Sequence, residues 1–154
     1  MKINLGIPAR LTLPSLLLVL AIAGCASGPT KEAVSTKEAP DAIGPYSQGI
    51  KVGNLLFLAG QAAIDPKTNQ MISGSIEEQT KQVLENLNAV LKASGMSMEN
   101  VVNTTVFLKD LNDFGKMNAV YGTYFKDKPP ARATVQVARI PRDALVEISA
   151  IAIK

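Results

Sequence analysis

Hydrophobic and polar residues alternate over several short segments between residues 41 and 154, which predicts a domain rich in strands. The first two segments flank Gly53-Asn54, a dipeptide that favours a tight hairpin because both residues tolerate positive φ. A turn is predicted at residues 65–69, where Asp, Pro and Asn lie together. The five predicted strands cover residues 50–52, 55–64, 101–108, 133–140 and 145–153.

Two segments between these strands carry apolar residues at helical spacing. Ser75 and Glu78 form the pattern of a capping box, so the first helix is predicted to begin there and to end at Gly95. Asn112 or Asp113 is predicted to cap the second helix, which Pro129-Pro130 ends. The apolar positions are Ile76, Val83, Leu84, Leu87, Val90 and Leu91 in the first helix and Phe114, Met117, Val120, Tyr121, Tyr124 and Phe125 in the second.

The order of these elements, ββαβαββ, predicts an α+β fold in which both helices cover one face of a sheet. The other face carries many apolar residues and has no predicted element to cover it. Association of several copies would bury that face, so we expect an oligomer.

The N-terminal region has the features of a bacterial lipoprotein signal. Lys2 and Arg10 supply a basic segment, an apolar run follows over residues 11–23, and Ile22-Ala23-Gly24-Cys25 resembles a lipobox. The run is shorter than the roughly 20 residues of a membrane-spanning helix. We therefore predict a signal peptide at residues 1–24 and lipid modification of Cys25. The alternative is a buried cysteine that follows a hydrophobic helix.

Residues 26–40 are mostly small and polar and include two prolines. They offer little to bury, so residues 25–40 are predicted to be the lipidated cysteine and a flexible tether, with the folded domain at 41–154. Because Ala26 follows the cysteine where Asp would retain the protein at the inner membrane, lipoprotein sorting rules favour the outer membrane, facing the periplasm. The lone cysteine would then be an anchor and not a catalytic thiol.

Composition limits the chemistry that the chain can perform. The sequence has no histidine and one cysteine, which excludes His-based metal sites, Ser-His or Cys-His nucleophiles and an internal disulfide. The formal charge is +3, but from Cys25 onward 14 basic residues accompany 13 acidic ones. A nearly neutral domain does not favour a nucleic-acid partner. The remaining residue types favour hydrolysis of a substrate that is already reactive.

Several segments, in the same order and with compatible spacing, resemble the RidA family of enamine/imine deaminases over residues 38–153. The matching segments are Ala42-Ile43-Gly44-Pro45-Tyr46-Ser47-Gln48-Gly49, Ala59-Gly60-Gln61, residues 104–114, Asn118-Ala119-Val120-Tyr121, residues 130–138 and Val146-Glu147-Ile148. The resemblance implies a homotrimer of chorismate-mutase-like subunits with a central β-barrel and a ligand cleft at each subunit interface. It also implies cofactor-independent hydrolysis of short-lived 2-imino acids, such as 2-iminobutanoate and 2-iminopropanoate, to 2-keto acids and ammonium.

The resemblance assigns roles that suit the residue types. Arg132 lies at the family's carboxylate-binding position, and a planar guanidinium holds a carboxylate by two parallel hydrogen bonds. Glu147 lies at the position of the proton-transferring group and interrupts an otherwise apolar strand. The further cleft positions implied by the resemblance are Tyr46, Gly60, Asn118 and Thr134.

Each of these residues also has a structural interpretation. Arg132 and Glu147 could form an ion pair with each other, and Tyr46 could be a packed aromatic residue whose hydroxyl binds the backbone. Gly60 could mark a strand bulge, and Asn118 could bond to the helix backbone.

Two positions depart from the pattern that many family members show. Ala59 stands where serine precedes the pocket glycine, which removes one hydrogen bond worth about 0.5–1.5 kcal/mol. Thr134 stands where some members have cysteine, and it is expected to act through its backbone carbonyl.

Two other functions stay open. One is a non-catalytic periplasmic lipoprotein that uses the same inter-subunit cleft to bind a small carboxylate or a partner protein. The other is the ribonuclease or translation-inhibitor role attached to the family, which the lack of histidine, the nearly neutral domain and the export signal disfavour.

Overall fold

The computed structural model describes Gly28 and residues 30–154, which form a mixed six-stranded sheet, a two-stranded hairpin and two α-helices. The strands of the large sheet lie in the order β1-β2-β3-β8-β6-β7, and all neighbours are antiparallel except β6 and β7. The elements are β1 (Lys31–Val34), β2 (Gly49–Val52), β3 (Leu55–Gln61), β4 (Ile64–Asp65), β5 (Gln70–Met71), α1 (Ile76–Ala93), β6 (Val101–Leu108), α2 (Phe114–Tyr124), β7 (Ala131–Gln136) and β8 (Val146–Ile153).

Helix α1 confirms the sequence prediction at both ends. The Ser75 N–H donates to the Glu78 carboxylate at 2.8 Å, and the Glu78 N–H donates to Ser75 Oγ at 3.3 Å, which completes the capping box. At the other end Gly95 has φ 73°, and the Met96 N–H donates to the Leu91 carbonyl at 2.9 Å. This bond satisfies a carbonyl that the end of the helix would leave without a partner.

Both helices cover one face of the large sheet, as predicted. Helix α1 packs on β3 and β8, and α2 lies beside α1, where the Tyr121 hydroxyl bonds to Thr104 Oγ1 on β6 at 2.8 Å. The core between the helices and the sheet is built from aliphatic side chains. Its largest fully buried members are Leu56, Val83, Leu84, Leu87, Val90, Leu91, Val106, Leu108, Met117, Val146 and Ile148.

The opposite face of the sheet has no helix over it within residues 30–154. Phe57, Val135 and Ile153 lie on this open face and are 44%, 44% and 41% exposed. Cross-strand pairs place Phe107 and Ile151 on the same side. The open face is therefore apolar and accessible, which agrees with the expectation of an oligomer.

The predicted tether is wrong for residues 31–40. Lys31 to Val34 form the edge strand β1, which pairs with β2, and Ala39 is fully buried. The buried Gln48 side chain accepts from the Thr36 N–H and donates to the carbonyls of Thr36, Ala39 and Pro40. Backbone hydrogen bonds and those of the Gln48 side-chain amide hold this segment in place. Its order does not depend on apolar side chains, so its polar composition did not predict it. The folded domain starts by Lys31 and not near Asp41.

Strands β3 and β7 have boundaries that differ from the prediction by two or more residues. Strand β3 ends at Gln61, after a register shift against β8 between Leu58 and Gln61, and Ile64–Asp65 pairs instead with Gln70–Met71 in the hairpin. Strand β7 spans Ala131–Gln136 rather than residues 133–140.

Asp113, one of the two predicted caps, is the N-cap residue of the second helix, but its side chain makes no capping bond. Asp110 Oδ1 accepts from the Asn112 N–H at 2.8 Å and starts a short 3₁₀ turn that leads into α2. Asp113 has helical φ and ψ and makes no side-chain capping bond. The capping acid therefore precedes the 3₁₀ turn, two or three residues before the predicted caps.

The predicted signal peptide and the predicted lipidation site, Cys25, lie outside the described residues. Within the described part, no helix combines the length and apolarity that a membrane span needs.

Candidate active site

A cavity of about 360 Å³ opens between the segment before β2, the end of β3, the loop before β8 and β8 itself. It brings together three of the predicted site residues, Tyr46, Gly60 and Glu147. We call it the Glu147 cavity. Its other lining residues are Pro40, Asp41, Ile43, Gln48, Ala59, Gln61, Ala62, Ile64, Pro141 and Arg142.

The lack of a side chain at Gly60 makes room for Glu147. A Cβ atom built on Gly60 would lie 2.9 Å from Glu147 Cδ and 3.1 Å from Cγ, closer than side chains normally approach. Gly60 also lies in the β3–β8 register shift, as the bulge interpretation expects, and it lines the Glu147 cavity. The bulge places the glycine backbone directly against the carboxyl group.

Glu147 is a half-buried carboxyl group on the open face of β8, opposite Phe107 of β6. Burial raises its pKa, because a desolvated carboxylate loses hydration. The one ion pair found among the described residues joins Arg139 to Asp143, so Glu147 has no cationic partner among these residues. A carboxyl group of this kind is suited to hold and release a proton.

Tyr46 forms part of the cavity wall and is 50% exposed. Its hydroxyl accepts a long hydrogen bond of 3.4 Å from the Ile43 N–H. The contact is weak, so the hydroxyl remains able to bond to a ligand. Gln48, which holds Pro40 in place, supports the same wall of the cavity.

Arg132 lies elsewhere, between β7 and α2. Its guanidinium carbon is 4.5 Å from the ring centre of Tyr121 and 5.7 Å from that of Phe114. Cation–π contacts with two aromatic rings fix the guanidinium and leave N–H groups at its edge for a carboxylate. The pKa of Tyr121 is raised by burial, an effect that the Thr104 hydrogen bond and the Arg132 charge oppose.

Asn118 and Thr134 flank Arg132. Asn118 is half-buried and lies four residues after Phe114 and three before Tyr121, on the stripe of α2 that contacts Arg132. We find no side-chain hydrogen bond for Asn118 within residues 30–154, so the structure does not support a bond to its helix backbone. We call Arg132, Phe114, Asn118, Tyr121 and Thr134 the Arg132 cluster.

The backbone of Thr134 faces the free edge of the sheet. The Val137 N–H points towards β6, because it donates to the Leu108 carbonyl at 3.0 Å. Backbone groups of successive residues point to alternate edges of a strand, and Thr134 lies three residues before Val137. The N–H and carbonyl of Thr134 therefore point away from β6, and no described strand lies on that side. Its buried Oγ1 also has no hydrogen-bond partner among the described residues.

The Arg132 cluster and the Glu147 cavity lie on opposite faces of the sheet. Arg132 pairs with Thr104, which faces the helices, whereas Glu147 pairs with Phe107, which is on the open face. Successive side chains of a strand alternate between faces, so this register separates the two groups. The suggested ion pair between Arg132 and Glu147 of one chain is therefore wrong.

Sequence reasoning missed two features of these sites. Phe114 and Tyr121 were assigned to an apolar helical stripe, but they also hold the Arg132 guanidinium. Arg142, which lies between the last two predicted strands, was not among the candidate site residues, but it lines the Glu147 cavity. The only sequence signal for Arg142 was that it is a positively charged residue shortly before Glu147 in the sequence. Among the described residues, no group of three or more His, Cys, Asp or Glu side chains could hold a metal ion.

These observations define an α+β protein with a half-buried carboxyl group in a cavity and a guanidinium stacked on two aromatic rings, two features suited to contact a small molecule. The family model described as Endoribonuclease L-PSP matches residues 36–154. The chain belongs to this family, the RidA family that the sequence motifs indicated.

Relatives and solved structures agree with this assignment. A RutC family protein of Pyrococcus horikoshii is 56% identical over 124 residues, which cover 80% of this chain and 98% of that protein. The mouse protein named 2-iminobutanoate/2-iminopropanoate deaminase is 48% identical over 124 residues, covering 80% of this chain and 92% of the mouse protein. A crystal structure of a Thermotoga maritima protein superposes with a TM-score of 0.80 at 50% identity and covers 81% of this chain and 98% of that one.

Proposed function

We propose that the protein hydrolyses reactive 2-imino acids, such as 2-iminobutanoate and 2-iminopropanoate, to 2-keto acids and ammonium without a cofactor. The observation that carries this proposal is the half-buried Glu147 carboxyl group, which lies against Gly60 and forms no ion pair with any described residue. The 48% identity to the mouse deaminase supports the substrate class.

The residues suit each step of this hydrolysis. Arg132 binds the substrate carboxylate and fixes the position of the neighbouring C=N bond. Water adds to the imine carbon while one of its protons passes to the nitrogen, and a second proton, from Glu147, reaches that nitrogen as the C–N bond breaks and ammonia leaves. The carboxylate that results takes up a proton from the added water as the keto group forms, which restores Glu147. The modest barrier of imine hydrolysis requires no metal or covalent nucleophile.

The proposal requires two copies of the chain at each site. Arg132 and Glu147 lie on opposite faces of one sheet, so the Arg132 cluster of one copy must meet the Glu147 cavity of the next. The apolar open face and the free edge of β7 supply surfaces for this association. We propose that three copies associate, as the family resemblance implies, and light scattering of the purified protein would measure the number.

The activity is tested by generating 2-iminobutanoate in situ with an amino-acid oxidase and measuring the loss of imine. Wild-type protein should accelerate the loss, and Arg132→Lys and Glu147→Gln should each reduce the acceleration strongly. Arg132→Lys keeps the charge but loses the planar fork. Glu99→Gln, which removes an exposed carboxylate outside the Glu147 cavity, is the matched control. A folded oligomer that binds 2-keto acids but causes no acceleration would support a binding function instead.

We also propose that Cys25 carries a lipid that anchors the domain to the periplasmic side of the outer membrane. This proposal rests on the lipobox at residues 22–25. Cys25→Ser should move the full chain from the membrane fraction to the soluble fraction. Membrane association that persists in this variant would contradict the anchor.

A further inference from the structure

Arg142 is a cation in the Glu147 cavity to which the proposed reaction gives no role. We propose that Arg142 determines substrate specificity and selects 2-imino acids whose side chain carries a second carboxylate. The inference rests on the proposed function, because it concerns the choice of substrate at the same site.

Two loops hold Arg142 at the cavity. Arg142 Nη1 donates to the Asn69 carbonyl at 2.9 Å, which ties the loop before β8 to the β4–β5 hairpin. This bond uses one of the five N–H donors of the guanidinium. The other four are available to a planar anion such as a carboxylate.

The backbone around this contact is strained. Asn69, Arg142 and Asp143 have φ values of 55°, 58° and 57°, and only one other non-glycine residue among those described has positive φ. Residues other than glycine rarely adopt this conformation, and such strain concentrates at ligand-binding positions. The backbone conformation and the hydrogen bond to Asn69 therefore hold the exposed Arg142 beside the cavity.

Nearby acids leave the Arg142 charge uncompensated. Asp143 is bound to Arg139 by two hydrogen bonds of 2.8 and 3.0 Å, so its charge is already paired. Asp41 also lines the cavity, but it is exposed at the rim, where water and salt screen it. Glu147 donates a proton in the proposed reaction, so the form of Glu147 that reacts is neutral and does not repel an anion.

The position of Arg142 decides which part of the substrate it meets. In the proposed reaction, Arg132 holds the carboxylate next to the imine and Glu147 acts at the C=N bond. A cation on the Glu147 side of the site can therefore reach only the other substituent of the imine carbon, which is the side chain. A guanidinium there favours a side-chain carboxylate over an alkyl group.

The test uses the full chain and compares its activity on two imines. An amino-acid oxidase of matching specificity generates 2-iminosuccinate from D-aspartate, and another generates 2-iminobutanoate from D-2-aminobutanoate. Wild type should hydrolyse both. Arg142→Gln should lower the kcat/KM ratio of 2-iminosuccinate to 2-iminobutanoate at least about tenfold, the effect of losing one charge-assisted contact. Arg142→Lys, which keeps the charge but loses the planar fork, should retain part of the ratio.

The possible failures are distinguishable. If wild type accelerates neither imine, the proposed function is wrong and this inference falls with it. If wild type hydrolyses 2-iminobutanoate but not 2-iminosuccinate, only the specificity inference is overturned. The same holds if Arg142→Gln lowers both kcat/KM values equally or changes neither. Thermal melting of each variant separates these outcomes from unfolding.

Discussion

Gly60→Ala tests the role of Glu147 without altering any group proposed to react. Gly60 does not have positive φ, so alanine is compatible with the backbone there. The new Cβ would lie 2.9 Å from Glu147 Cδ, and an ordinary contact of about 3.5 Å requires the carboxyl group to retreat by at least roughly 0.6 Å. The clash is with the end of a flexible side chain, so the free energy of unfolding should fall by less than about 1.5 kcal/mol.

The catalytic effect should be much larger than the effect on stability. Misplacement of a reacting group by about 1 Å costs on the order of 100-fold in rate, so Gly60→Ala should reduce imine hydrolysis by one to two orders of magnitude. The double variant with Glu147→Ala should be no slower than Glu147→Ala alone, because both changes remove the same group. The assays are imine loss after in situ generation and urea denaturation.

Gly122→Ala is the matched control. Gly122 lies on α2, and a Cβ there would meet nothing within 4 Å. This variant should keep full activity and gain about 0.5–1 kcal/mol of stability. If Gly60→Ala keeps activity within twofold of wild type, the position of Glu147 beside Gly60 does not matter for catalysis and the reasoning fails.

Three further changes test the fold and the electrostatics. Burial raises the Glu147 pKa and therefore favours the protonated form in the folded state, so ionisation destabilises the fold. Glu147→Gln should be more stable than wild type at neutral pH, and the difference should vanish below the usual carboxyl range in urea titrations. Gln48→Ala removes the bonds that hold residues 36–40, and hydrogen exchange there should accelerate while α1 stays protected. Tyr121→Phe leaves the buried Thr104 hydroxyl without its partner and should cost about 1–3 kcal/mol in chemical denaturation.

Each of these predictions has a result that would contradict it. A Glu147→Gln stability difference that does not change with pH would mean that the carboxyl group is not desolvated. Unchanged exchange in residues 36–40 of Gln48→Ala would mean that β1 pairing alone orders the segment. A Tyr121→Phe variant as stable as wild type would mean that water readily replaces the lost bond.

Local sequence signals were sufficient for α1. Ser75, Glu78 and Gly95 act within a few residues of the helix ends, so their roles do not depend on the rest of the fold. Strand β1 could not be predicted in this way. Its four residues are mostly exposed, and it forms because its backbone pairs with β2, which a hydrophobic pattern does not record.

The candidate residues could be predicted, but their arrangement could not. The sequence motifs indicated Arg132 and Glu147 as candidate site residues. The face of the sheet on which each side chain lies depends on the strand register. A shift of one residue moves a side chain to the opposite face, and short apolar strands do not fix that choice. The β3 bulge at Gly60 adds a further irregularity that depends on pairing with β8.

The most direct test of the central claim, a site shared between copies of the chain, is to mix two inactive variants. Arg132→Ala and Glu147→Ala chains are denatured together in equal amounts, refolded and assayed for imine hydrolysis. Random association joins an intact Arg132 to an intact Glu147 at about one site in four, so about a quarter of wild-type activity should return. Each variant refolded alone should stay inactive. Mixed assemblies, verified by mass, that recover no activity would contradict a site built from two copies.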